Sequence, residues 1–164
     1  MIKKHILLLA LAALFFTISS CVKSDPAPNN CVANNTGVPT AAEVASVQAY
    51  LTANNLTATQ HPDGFFYRII TQGTGVRPSS SSRITVKYTG SLTNGSVFDQ
   101  SATGTTFLLS DLILGWQKGV PLIQKGGSII LYLPPSLGYG CSSAGGSIPR
   151  GSELIFNIEL VDVQ

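Results

Sequence analysis

One carboxylate set among six regularly placed aromatic residues is the part of this 164-residue chain best suited to chemistry. The aromatics are Tyr88, Phe98, Phe107, Trp116, Tyr139 and Phe156, and the acid is Asp99, directly after Phe98. Rings at that density can line a water-poor hollow fitted to a peptide, with a few polar groups fixing its orientation. A carboxylate beside such rings needs partners, because an ionised group in an apolar setting is otherwise driven to its neutral form. We expect Tyr88 to donate to Asp99, with a backbone N–H or a nearby Arg as second partner. No convincing nucleophile–base–acid set accompanies these residues, and His61 has no partner at metal-ligand spacing, so neither a metal nor another cofactor is expected.

Around these positions the chain reads VKYTG from Val86, VFDQS from Val97, TTFLLSDLILGWQKG from Thr105, LPPSLGYG from Leu133 and IPRGSELIF from Ile148. In order and in approximate spacing these strings resemble the FK506-binding-protein (FKBP) family of peptidyl-prolyl cis-trans isomerases, over roughly residues 64–164. The resemblance implies catalytic roles for Tyr88, Phe98, Asp99, Trp116 and Tyr139. In it Trp116 forms the pocket floor and the Tyr139 hydroxyl bonds a substrate carbonyl. It implies substrate-binding roles for Phe107, in the strand before the helix, for Leu112 and Ile113 at the helix entry, and for Ile148 and Phe156 as the closing wall. Ile113 would offer a backbone N–H to the bound peptide. Taken singly, each large aromatic reads as ordinary core and Asp99 as a turn residue; it is their joint order that points to a site. The chain departs from the family pattern at Thr105, where many relatives have an aromatic, at Leu114, and in the small polar loop 141–147, changes that open one side of the pocket.

The chemistry implied needs no covalent step. Rotation about a peptide bond costs ~18–20 kcal/mol because amide resonance is lost, and X–Pro bonds interconvert only over tens to hundreds of seconds, on the order given for uncatalysed peptides. The twisted amide has less charge separation than the planar one, so transfer from water to an apolar cavity favours it. Each ~1.36 kcal/mol removed from the barrier is worth tenfold in rate. The expected activity is isomerisation of X–Pro bonds in exported proteins, with prolyl segments as partners. The alternative is a non-catalytic prolyl-peptide-binding or holdase module using the same pocket.

The elements that must position these residues are those of an α+β domain: an antiparallel sheet wrapped around one short helix, with an added N-terminal helix. Ile84, Val86 and Tyr88 alternate with polar neighbours, as do Ile129, Leu131 and Leu133, and Leu154, Phe156, Ile158 and Leu160; this is the period of half-buried antiparallel strands. Residues 65–70 form a further strand candidate, and Asn94-Gly95 suits a hairpin turn. A short helix fits between Asp111 and Gly119, capped by Ser110 or Asp111 and limited by Pro121. Upstream, Thr40 and Glu43 fit a capping box, and Val44, Val47 and Tyr50 or Leu51 follow helical spacing to an end near Asn54-Asn55. This helix is expected to pack on the main domain.

Residues 1–20 read as a secretory signal, with Lys3 and Lys4 ahead of an apolar run over 6–18 that is shorter than a membrane span of about 20 residues. Ile18-Ser19-Ser20-Cys21 resembles the lipobox of bacterial lipoproteins, which implies acylation of Cys21 and a membrane anchor. Residues 21–39 form a flexible tether, 40–63 the N-terminal helix and linker, and 64–164 the FKBP-like domain. The setting expected is the bacterial cell envelope, facing the periplasm or exterior, and the molecule a monomer. Without Lys3 and Lys4, eight basic residues face eight acidic ones, a balance that excludes a basic field for nucleic acid. Cys31 and Cys141 remain, as a candidate disulfide or as two separate thiols.

Overall fold

The computed structural model describes residues 37–164. Its first element grows from the expected capping box. Glu43 N donates to the Thr40 hydroxyl at 3.2 Å, and Thr40 N donates to Glu43 Oε2 at 2.7 Å, starting helix α1 (Ala41–Ala53). The helix ends at Asn54, and Asn55 follows with φ 53°.

Six strands follow: β1 (Thr59–Gln60), β2 (Phe66–Thr71), β3 (Arg83–Leu92), β4 (Val97–Leu108), β5 (Ser128–Leu133) and β6 (Leu154–Val163). They form one antiparallel sheet in the order β1-β2-β5-β6-β3-β4. The β3–β4 hairpin turns at Asn94-Gly95, where Leu92 N donates to Ser96 O at 2.9 Å. Two elements go beyond the alternation signal. β4 is mostly exposed and rich in small polar residues, so its period is faint. β1 is a two-residue edge strand paired with β2.

The inner face of the sheet carries the alternating residues as expected. Ile84, Val86, Ile129, Leu131, Leu154 and Leu160 are buried there with Leu109, Val120 and Ile123. The outer face is covered in part by α1, whose Val47 and Leu51 form a second buried cluster with Phe66 and Tyr132. Tyr132 is therefore buried although it alternates with the core residues Leu131 and Leu133. This packing is what stabilises α1, since a free helix of 13 residues is marginal in water.

The short helix α2 (Leu114–Gly119) starts later than expected and without the expected cap. Ser110 and Asp111 instead lie in a 3₁₀ turn (Leu109–Asp111), and Ile113 occupies the N-cap position with no side-chain cap bond. Gln117 ties the helix to the turn before it: its Nε2 donates to Leu112 O at 2.6 Å and to Ser110 O at 3.0 Å. Pro121 follows in a 3₁₀ turn (Val120–Leu122) that ends the α-helix, as its missing N–H requires. Gly115 lets α2 lie directly on β5, because a Cβ there would collide with the Leu133 methyls.

Candidate active site

Three strands, a bulge in one of them and α2 bring the aromatics together. Tyr88 continues the inward register of Ile84 and Val86 on β3, and Phe156 does the same on β6. Between them on the chain ladder stands Gly90, paired with Phe156 on one side and Asp99 on the other. A Cβ on Gly90 would lie 2.7 Å from the Phe98 ring and 2.8 Å from Phe156 Cε1. The missing side chain is what admits the Phe98–Phe156 pair, centroids 5.5 Å apart and nearly perpendicular at 84°.

Consecutive residues of a regular strand point to opposite faces. Phe98 and Asp99 escape that rule because the register shifts beside them, from Gly90 opposite Asp99 to Ser91 opposite Val97. One step on β3 is matched by two on β4, with Phe98 as the extra residue. A bulge of this kind re-aims side chains, so the ring of Phe98 reaches Phe156 while the carboxylate of Asp99 reaches Tyr88.

α2 places Trp116 at the centre. Its ring meets Phe156 at 5.2 Å, Tyr88 at 5.3 Å and Phe107 at 6.4 Å, all near-perpendicular. Edge-to-face pairs of this geometry contribute roughly 0.5–1.5 kcal/mol each beyond area burial. Trp116 and Phe156 are each 4 % exposed, whereas Tyr88, Phe98, Phe107, Leu112 and Ile113 are half-buried at the rim. The Trp116 indole N–H is buried without a hydrogen-bond partner among the described residues. The Ile113 backbone N–H likewise meets no acceptor among the described residues. The indole N–H is the buried one of the two, and leaving a buried donor unmet is costly.

The polar side of the site is small. Tyr88 Oη donates to Asp99 Oδ2 at 2.6 Å, as expected. The expected second partner is absent: no backbone N–H or Arg binds the Asp99 carboxylate among the described residues. Asp99 is exposed, and Tyr88 occupies one of its two carboxylate oxygens. Desolvation, reinforced by the bond to Asp99 and by the Asp99 charge, pushes the Tyr88 phenol well above its ordinary range, so it stays a donor. Tyr139 is 39 % exposed, and its hydroxyl has no hydrogen-bond partner among the described residues. Burial, then the Asp99 charge, raises the Tyr139 phenol too. Ile148 is 5 % exposed and is held by a two-residue bridge to Ala144. Of the positions singled out in the sequence, Tyr88, Phe98, Phe107, Trp116 and Phe156 thus form one unbroken chain of rings. Asp99 is attached by a hydrogen bond, and Tyr139 makes no ring pair or hydrogen bond with the cluster among the described residues.

Cys141, half-buried two residues after Tyr139, is disulfide-bonded; Cys31 and Cys21 lie outside the described residues, as do the signal and most of the tether. Gly90 and Gly115 both sit in the quoted strings, and each allows a close approach that shapes the ring cluster and its helix. Thr105 is exposed on β4 and donates to Ser101 Oγ at 2.9 Å, away from the ring cluster's contacts. A separate cavity of about 560 Å³ lies beside α1, lined by Val44, Gln48, Asp63, Phe66 and Lys118 among others, and contains none of the aromatic site.

This geometry has close counterparts. An FkpA peptidyl-prolyl cis-trans isomerase of Buchnera aphidicola is 47% identical over 105 residues, which are 62% of this chain and 41% of that protein. The outer membrane protein MIP of Legionella longbeachae is 40% identical over 106 residues, 63% of this chain and 46% of that protein. The crystal structure of FkpA from Escherichia coli superposes with a TM-score of 0.68 at 35% identity, covering 76% of this chain and 60% of that one. The chain spans less than half the length of the two curated relatives it matches here. Residues 75–161, from the loop before β3 to the last strand and including every ring of the cluster, match the family described as FKBP-type peptidyl-prolyl cis-trans isomerase, and to that family the chain belongs.

Proposed function

We propose that this protein catalyses cis–trans isomerisation of X–Pro bonds in exported proteins. The observation that carries this reading is the chain of edge-to-face rings centred on Trp116, closed at its polar edge by the 2.6 Å Tyr88–Asp99 bond. A prolyl ring seated on Trp116 would be flanked by Tyr88, Phe98, Phe107 and Phe156. Ile113 N–H and the Tyr139 hydroxyl, both without acceptors among the described residues, are donors available to its carbonyls. Leaving water lowers the barrier because the planar amide carries more charge separation than the twisted one. Asp99 acts by orienting Tyr88 and the wall it belongs to, and no proton need move. Leu112, Ile148 and the rim rings favour a bulky apolar residue before the proline.

The setting we propose is the bacterial cell envelope, with the domain anchored through a lipid on Cys21 and Cys31 paired with Cys141. The lipobox-like start and the name of the Legionella relative support an envelope location. Among the described residues no helix is long and apolar enough to cross a membrane.

A refolding assay limited by proline isomerisation, run with and without a macrolide of the FKBP-inhibitor class, tests the function. Acceleration that the macrolide abolishes is expected. Binding of prolyl peptides with no acceleration at any enzyme concentration would replace this reading with that of a non-catalytic holdase.

A further inference from the structure

Glu43 is remote in sequence from every residue of the site, yet its carboxylate joins α1 to the segment that carries Tyr139. Oε2 accepts from Thr40, within the capping box. Oε1 accepts from Ser136 N at 3.0 Å and from Ser136 Oγ at 2.6 Å, across 93 residues. Ser136 sits in the 3₁₀ turn Pro135–Leu137, directly before Gly138-Tyr139-Gly140.

The peptide unit between Pro135 and Ser136 is the link. Its N–H points to Glu43. Its carbonyl, on Pro135, accepts from Gly138 N at 2.9 Å and from Gly140 N at 2.8 Å. Those two donors flank Tyr139 on either side. A peptide unit is planar, so fixing the N–H fixes the direction of the carbonyl, and a charged acceptor on the N–H strengthens the bonds the carbonyl makes. Leu137, fully buried, pins the turn from the other side. Gly151 N donates to Gly140 O at 2.9 Å and ties the far end.

We infer that Glu43 is a positioning residue for Tyr139: through the Pro135–Ser136 peptide, helix α1 sets where the Tyr139 hydroxyl meets the substrate. The inference rests on the reading of Tyr139 as a substrate-facing donor. It gives α1 a function that the family match does not, since that match begins at residue 75. Burial of the Glu43 carboxyl works against its ionisation, but the bonds from Ser136 and Thr40 outweigh this and hold it below its ordinary range, so the acceptor is charged at neutral pH.

The test is a double-mutant cycle on kcat/KM for an X–Pro peptide, at a temperature where circular dichroism shows every variant folded. Glu43→Ala is expected to lower kcat/KM about tenfold, which is about 1.4 kcal/mol of barrier, and to add nothing in a Tyr139→Phe background. Glu43→Gln, which keeps an acceptor for only one of the two sides, is the second variant should Glu43→Ala fail to fold. Thr40→Ala removes the helix cap but leaves the Ser136 contact, so it should lower Tm and leave kcat/KM unchanged. The proposal is overturned by equal losses from Glu43→Ala in both backgrounds, or by Thr40→Ala matching Glu43→Ala. Wild-type kcat/KM in the Glu43 variants beside an impaired Tyr139→Phe sinks the positioning role alone. Full activity of Tyr139→Phe sinks the reading of the site and this inference with it.

Discussion

The Tyr88 hydroxyl reaches Asp99 Oδ2 at 2.6 Å across the β3–β4 ladder, and the bulge at Phe98 is what lets it do so. Neighbouring residues on one strand thereby serve one site in two ways, Phe98 by packing and Asp99 by orienting a phenol. Because Asp99 is exposed and bound once, its removal should leave the fold intact. Asp99→Ala is expected to cost little stability, within about 0.5 kcal/mol as for surface substitutions. The substitution releases the Tyr88 phenol that the carboxylate orients, so proline isomerisation should slow by roughly tenfold, which is ~1.36 kcal/mol of barrier. A refolding assay beside a thermal melt checks both halves; unchanged isomerisation in Asp99→Ala refutes the role given to the carboxylate.

Gly90 is the point of closest approach between β3 and the Phe98–Phe156 pair. An alanine Cβ there would stand 2.7 Å from two atoms of the Phe98 ring and 2.8 Å from Phe156. The Phe156 ring cannot yield freely, since it is 4 % exposed and packed edge-on to Trp116. Gly90→Ala should therefore destabilise by about 1–3 kcal/mol, the usual range for overpacking, and should impair isomerisation in the protein that still folds. Gly126→Ala is the comparison, because a Cβ there meets nothing within 4 Å and only its φ of 84° opposes the change. Urea melts of the two variants separate ring displacement from backbone strain.

What the sequence makes legible follows from the range of the interaction. The capping box at Thr40 and Glu43 is a four-residue pattern and appears as read. The alternation in β3, β5 and β6 reports one buried face and places Ile84, Ile129 and Phe156 correctly. The same alternation hides Tyr132, because burial of the second face depends on α1, some 80 residues away in the chain by the general rule that packing overrides local pattern. The Phe98 bulge is invisible for a related reason: it exists only in the pairing of β4 with β3. The start of α2 is harder to read: Ser110 and Asp111 are good capping types, but both fall in the 3₁₀ turn, and Ile113 takes the N-cap position with no side-chain bond. The Glu43–Ser136 contact joins two polar residues that carry no pattern in common.

The Tyr88 phenol supplies a test by pH. Desolvation and the Asp99 carboxylate raise its folded value above the unfolded one, ordinarily near 10. A group whose folded value is raised contributes stability that is complete below the unfolded value and is lost as pH rises toward the folded one. Stability should thus be insensitive to Tyr88 at neutral pH and decline above about pH 10. In Tyr88→Phe the alkaline decline should be shallower, and the ultraviolet phenolate titration should lose its latest component. A titration unchanged by the substitution would place the slow phenol elsewhere, at Tyr132 or Tyr139, which are also raised.

Trp116 is the single tryptophan of the chain, so its emission reports on the proposed floor of the pocket without labelling. Its indole is 4 % exposed and its N–H has no partner, which predicts blue-shifted emission in the free protein and a change when a prolyl peptide or macrolide covers the ring. Trp116→Phe should preserve much of the packing while removing the unmet donor, and should cost far less than the roughly 3–5 kcal/mol of Trp116→Ala. If the N–H is only a burden, Trp116→Phe keeps its activity and loses little stability. If the wide indole face is what seats the proline, activity falls while Tm hardly moves. Saturating prolyl peptide that leaves the Trp116 spectrum untouched would remove the ring from the binding surface altogether, and with it the arrangement of Tyr88, Phe107 and Phe156 as walls around it.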